Sequence, residues 1–138
     1  MSARLNIMKE LQKQVKAAGF KYCYIDPAIN TKASYPQILI SPETDNVTDF
    51  TKVPKNHCYL HDFYLNITII DKTINRPEGS IEKLEKHVDT LEQKLKTPAA
   101  ATDLILQSIN YDIDDVYNDN GISVLSITFL TKYSSTFN

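Results

Sequence analysis

Glycine is scarce in this chain: Gly19, Gly79 and Gly121 are all there are in 138 residues. Phosphate cradles and dinucleotide-binding turns are built on clustered glycines, so both are excluded. G-x-S-x-G, H-E-x-x-H and P-loop patterns are absent as well. There is no tryptophan, and there are only two cysteines and three histidines. Cys23 and Cys58 allow one disulfide at most. The N-terminal stretch MSARLNIMKELQKQVK is charged throughout and has no apolar core, so no signal peptide is expected. The two thiols are then expected to be reduced and to serve as small hydrophobes. The same reading removes Asn46-Val47-Thr48 and Asn66-Ile67-Thr68 as glycosylation sites. No apolar run approaches the roughly 18 residues of a membrane helix. An intracellular soluble protein with no membrane partner is expected. Charge of one sign is also lacking, with 15 Lys+Arg against 17 Asp+Glu and a net charge of -2. A stable nucleic-acid binder carries a basic stripe, so any nucleic acid met here is passed or excluded rather than gripped.

What is present suits one domain spanning residues 1–138, with 42% hydrophobic and 23% charged residues. Two segments carry helical periodicity. Over Ala3 to Ala18, Leu5, Met8, Leu11, Val15 and Ala18 share a face, and Gly19 stands where a left-handed cap belongs. A second helix is expected to open at Ser80 as N-cap, with Glu82 in its first turn and Ile81, Leu84, Val88, Leu91 and Leu95 on one seam. It ends before Pro98. That seam spans too few heptads for a coiled coil, and packing on a sheet is the expected use.

The remainder reads as strands. Tyr35 to Ser41 is a short strand closed by Pro42. Tyr59 to Asp71 alternates best, with Phe63, Leu65, Ile67 and Ile69 facing one way and Asp62, Tyr64, Asn66 and Thr68 the other. Leu104 to Tyr117 and Ile122 to Tyr133 form a hairpin turned by Asn120-Gly121. Ile122 and Val124 break the parity of Leu125, Ile127 and Phe129, which predicts a bulge near Val124 and Leu125. A weaker strand spans Lys21 to Ile25. Pro42 to Asn56 and Lys72 to Gly79 read as polar loops. The fold class expected is α+β, in the order α-β-β-α-β-β. It has a mainly antiparallel sheet of four to five strands, two amphipathic helices on one face, and long strands and loops that project.

The densest chemistry is Asn56 to Phe63, NHCYLHDF. On a strand reaching back through His57, His57, Tyr59 and His61 share a face, while Cys58 and Asp62 share the other. Residues four apart on a strand are separated by about 13 Å, whereas zinc holds its ligands at about 2.0–2.3 Å. Cys23 and His87 are the only other candidates of those types. No metal site is expected, and His87 reads as a boundary residue of the second helix. His57 and Cys58 point to opposite faces, so no thiol–imidazole pair forms, and no catalytic residue is assigned. Asp112 to Gly121, DIDDVYNDNG, fails as a calcium loop. A loop placing Gly121 sixth has Val116 and Ile127 at its anchoring positions. It reads instead as a solvated hairpin tip whose carboxylates repel DNA. The eight tyrosines serve either as strand formers or as interface residues.

An amphipathic helix, then YPQILISPE, FYLNITIID, the helix SIEKLEKHVDTLEQKLK and a terminal ISVLSITFLTKYSS follow in order along nearly the whole chain. This succession resembles the tail terminator proteins of long-tailed bacteriophages, small α+β subunits grouped with the head-to-tail joining proteins. The resemblance implies a structural virion protein without enzymatic activity or cofactor. It implies a homohexameric ring that caps the finished tail tube, stops its polymerisation and offers the docking surface for the head and its connector. Partners implied are further copies of the chain, the tail tube protein and the head–tail connector, with DNA passing through the lumen. The family supplies no site residues to carry over. From position, Lys72, Asn75, Arg76 and Glu78 of one loop, and Tyr117, Asn118, Asp119 and Asn120 at the hairpin tip, are the expected assembly contacts. Other readings stay open: another phage neck or tail-completion protein, a monomeric module using β-augmentation, or an enzyme with a thiol or histidine mechanism.

Overall fold

The computed structural model of the chain describes residues 2–25, 34–49, 57–72, 77–112 and 122–137. The elements are α1 (Ala3–Ala17), β1 (Tyr22–Ile25), β2 (Gln37–Asp49), β3 (His57–Lys72), α2 (Pro77–Lys94), β4 (Asp103–Asp112) and β5 (Ile122–Phe137). The α+β class holds, with a third strand before α2. The five strands form one sheet in the order β1-β2-β3-β5-β4. β1 runs parallel to β2, so the sheet is mixed rather than all antiparallel, while every other pairing is antiparallel.

Helix α1 begins where Ser2 Oγ accepts the Leu5 N–H at 3.1 Å, satisfying one of the first-turn donors. It ends in a Schellman arrangement: Gly19 N–H donates to the Lys16 carbonyl and Phe20 N–H to that of Val15. Gly19 takes φ +108° there, as the motif requires. The buried stripe is Ile7, Met8, Leu11 and Val15. Leu5 and Ala18 flank it, and Ile7 takes the place given to Leu5 in the sequence pattern.

Helix α2 starts at Pro77, three residues before the expected cap at Ser80. Proline suits the first helical position, where its fixed φ fits and its missing N–H is not needed. Glu78, expected on a loop, therefore lies in the helix. Leu84, Val88 and Leu91 are buried, but Ile81 is 43% exposed, so the seam engages one turn later than its periodicity implies.

The strands outrun their expected bounds. Pro42 does not close β2, which continues to Asp49. Two features permit this. β1 stops opposite Ile40, leaving the outer side of β2 free beyond it among the described residues, and the pairing with β3 slips between Pro42 and Thr44. Proline is tolerated at such edges and bulges. β3 and β5 pair without interruption from His57↔Phe137 to Lys72↔Ile122. The bulge expected near Val124 is therefore absent, and the slip on that side lies between Leu106 and Ser108 of β4. The parity break has another cause, since both faces are apolar at this end of the sheet. Leu125 belongs to the main core with α1 and α2, while Val124 packs with Leu39 and Ile70, beside Tyr24, Tyr35 and Ile122, on the opposite face. Strand β4 ends at Asp112. Its antiparallel pairing with β5 matches the hairpin signal, and the Asn120-Gly121 turn lies outside the described residues.

The main core joins Ile7, Leu11 and Val15 of α1 and Leu84 and Leu91 of α2 to Ile38, Ile40, Phe63, Leu65, Ile67, Ile69, Leu125 and Ile127 of the sheet. Fully burying one such aliphatic side chain is worth about 1.5–3 kcal/mol, so this layer dominates the stability of the fold. No described helix is long and apolar enough to cross a membrane.

Candidate functional site

The main polar cluster lies where the N-terminus of α1 meets the far end of the sheet, and a bulge creates it. Before the slip, the even positions of β2 take the core side, with buried Ile38 and Ile40 and the exposed Pro42 paired with Ile69, Ile67 and Leu65. Glu43 is the extra residue, so after it the odd positions face the core and Asp45 pairs with Phe63. One inserted residue exchanges the faces of everything beyond it. An aspartate is thereby delivered to the core face.

Asp45 is surrounded by donors. Its Oδ2 accepts from Arg4 Nη1 at 2.7 Å and from the Tyr133 hydroxyl at 2.5 Å. His61 Nδ1 lies 3.0 and 3.1 Å from its two carboxylate oxygens. The His61 ring stacks on Tyr133, directly opposite on β5, with centroids 4.1 Å apart and planes 12° from parallel. Its Nε2 lies 2.7 Å from Ser135 Oγ. A carboxylate only accepts, so Nδ1 carries the hydrogen toward Asp45, and in the neutral form of the ring Nε2 accepts the Ser135 O–H. The order carboxylate, imidazole, hydroxyl is thus complete.

The side chains of Asp45 and His61 are each only 10% exposed, whereas that of Arg4 is 46% exposed. Burial pushes the Asp45 carboxyl up, but the hydrogen bonds from Tyr133, Arg4 and His61 outweigh it and hold the group below the ordinary carboxylate range. Burial and the neighbouring carboxylate push the Tyr133 hydroxyl up to about 12. A shallow cavity of about 180 Å³ adjoins the cluster, lined by Ser2, Ala3, Arg4, His61, Tyr133 and Ser135.

A second cluster pins α2 to the other end of β3. Asp71, 3% exposed, accepts from His87 Nε2 at 2.7 Å and from the Lys72 backbone N–H at 2.8 Å, with Lys83 Nζ 3.3 Å away. Burial raises the Asp71 carboxyl, and these partners overcome that rise and lower it. His87 also sets its ring edge-on to Phe20. His87 is thus a tie between helix and strand, with more structure around it than a boundary residue has.

Of the residues expected at assembly contacts, Lys72 is an exposed side chain at the end of β3 and Glu78 lies in the first turn of α2. Asn75, Arg76, Tyr117, Asn118, Asp119 and Asn120 lie outside the described residues. Among the described residues no group of three His, Cys, Asp or Glu side chains could hold a metal ion. Cys23 is buried, and burial pushes its thiol up to about 12. The tyrosines divide in use: Tyr133 is buried in the polar cluster, Tyr24 and Tyr35 pack on the second face, and Tyr111 is exposed with its hydroxyl on Glu85.

Sequence reasoning missed Asp45 and Ser135. Asp45 falls in the segment expected to be a loop, and Ser135 lies beyond the expected end of the last strand. His61 was recognised as chemistry-bearing, but its partners come from β2 and β5 and not from its own strand. No sequence spacing encodes that meeting.

No protein-family model matches the chain, and no curated protein does. A solved structure does resemble it: a chain in the virion of a native gene transfer agent (GTA) particle. The fold is shared. The likeness covers 91% of this chain and 92% of that one, with a TM-score of 0.53 and 12% sequence identity. At that identity the comparison establishes architecture, and it extends over both chains almost end to end.

Proposed function

We propose that this chain is a structural subunit of a phage-like virion, and within it the tail terminator that caps the finished tail tube as a hexameric ring. The observation that carries this reading is the likeness to a virion chain over 91% of this chain and 92% of that one. The order of elements along the sequence resembles the tail terminators, and this resemblance supports the narrower role.

The sheet suits a ring subunit. Among the described residues β4 is an edge strand whose Ile105 and Leu106 are 40% and 43% exposed, and β2 is a second open edge beyond Ile40. Two different edges on one subunit allow head-to-tail contacts, which close into a ring when the rotation permits. A net charge of -2 fits a lumen through which DNA passes without adhering.

The test is to polymerise the cognate tail tube protein with and without this chain, and to image the tubes. Capped tubes of limited length with a ring at one end support the reading. Tubes that grow unchanged, with no added density at their ends, refute it.

A further inference from the structure

The Asp45–His61–Ser135 array has a property that a ring contact does not need. We propose that Ser135 is an activated nucleophile, with His61 as its general base and Asp45 as the positioning residue, able to take the acyl group of small carboxylic esters. The geometry meets the requirement for such activation. Nucleophile and base are 2.7 Å apart, and the base is oriented through its other nitrogen by a carboxylate at 3.0 Å. Asp45 is itself fixed by Tyr133 and Arg4, and His61 is held by its stack on Tyr133, so the imidazole has little freedom to turn away. Ser135 and His61 both line the cavity, so an incoming ester reaches the hydroxyl from solvent.

In the acyl-transfer step Ser135 Oγ bonds to the ester carbonyl carbon while His61 Nε2 takes the hydroxyl proton. The ester C–O bond then breaks, and that proton passes to the departing alkoxide, which leaves as the alcohol. Water, deprotonated by the same imidazole, cleaves the acyl-serine to a carboxylic acid and restores the hydroxyl. Arg4 lines the same cavity, and its guanidinium carries N–H donors for the oxyanion formed at the carbonyl. The cavity, about 180 Å³, is below the roughly 300–1,000 Å³ of sites for drug-sized ligands. Short acyl groups are therefore the class that fits.

The experiment treats the folded full-length chain with a fluorophosphonate probe and maps the adduct by peptide mass spectrometry, alongside p-nitrophenyl acetate hydrolysis. The expected result is a single phosphonylated residue, Ser135, and turnover that disappears in Ser135→Ala. His61→Gln lowers the labelling rate by about 100-fold or more, the share general-base assistance contributes. Asp45→Asn slows labelling and Asp45→Glu restores part of it, a rescue by charge that a purely structural aspartate does not produce. Ser134→Ala, on the opposite face of β5 and exposed, labels like the parent. Absence of an adduct on the folded parent overturns the proposal, as does an adduct elsewhere with Ser135 untouched. Equal Ser135 labelling in the folded His61→Gln variant overturns it too. Mapping on the parent needs no substitution, so a variant that misfolds does not remove the test. The ring reading stands or falls separately, on tube capping.

Discussion

Replacing Asp45 with alanine removes one acceptor from three donors at once. Two of them, the Tyr133 hydroxyl and His61 Nδ1–H, belong to buried residues. A buried donor left without a partner costs about 1–3 kcal/mol. The cavity beside His61 admits water, which places its share toward the lower end of that range. Arg4 is 46% exposed, so water replaces the carboxylate there and its share is about 0–1 kcal/mol. The total expected loss is about 2–4 kcal/mol at neutral pH. Urea unfolding of both proteins, with the m-value compared to confirm that only stability has changed, measures it. The pH dependence has a definite sign. Asp45 has a lowered folded-state pKa, so its contribution is fully present above the ordinary aspartate value of about 3.9 and disappears as pH falls through the folded value. The Asp45 contribution to the gap between parent and variant therefore shrinks as pH falls below about 4. Asp71 is depressed in the same way but is common to both proteins. A gap below about 0.5 kcal/mol at pH 7, or one that widens as pH falls below about 4, would refute this role for Asp45.

Three further outcomes follow from the packing. Gly19→Ala forces an alanine into φ +108° with open space around its Cβ, so the cost is conformational alone, about 1–2 kcal/mol by thermal or urea unfolding. Leu91→Ala, at a site with no exposure in the main core, lowers stability by about 2–5 kcal/mol in the same assays. Cys23, buried and with its thiol pushed up to about 12, stays unmodified by a thiol-disulfide reagent at pH 8 until the protein unfolds; rapid reaction of the native protein at Cys23 would contradict its placement.

The fold was legible where a single periodicity governed a segment. β3 alternates cleanly because its odd residues meet the helices and its even residues meet the half-covered opposite face. α1 was legible because Gly19 marks its end. Where two influences compete, the pattern misled. Pro42 signals a stop in isolation, yet an open edge and a bulge let the strand pass through it. Ile122 and Val124 looked out of register because a second small apolar cluster exists that local sequence does not announce. Pro77 outranked Ser80 as the start of α2, since proline's fixed φ suits the first helical position and its missing N–H is not needed there. The polar cluster was the least legible part. Its geometry depends on one bulge residue, Glu43, that moves Asp45 to the core face, and on a 16-residue pairing that sets His61 beside Tyr133 and Ser135. Within NHCYLHDF, Cys58 and Asp62 lie on one face of β3 and His61 on the other, as strand geometry requires. His61 nevertheless finds partners on the neighbouring strands.

Electron microscopy of the chain mixed with its cognate tube protein is the sharpest test of the proposed ring that caps a tail tube. The expected image is a sixfold ring seated on one end of tubes that have ceased to grow. A chain that stays monomeric beside tubes of unrestricted length would contradict it.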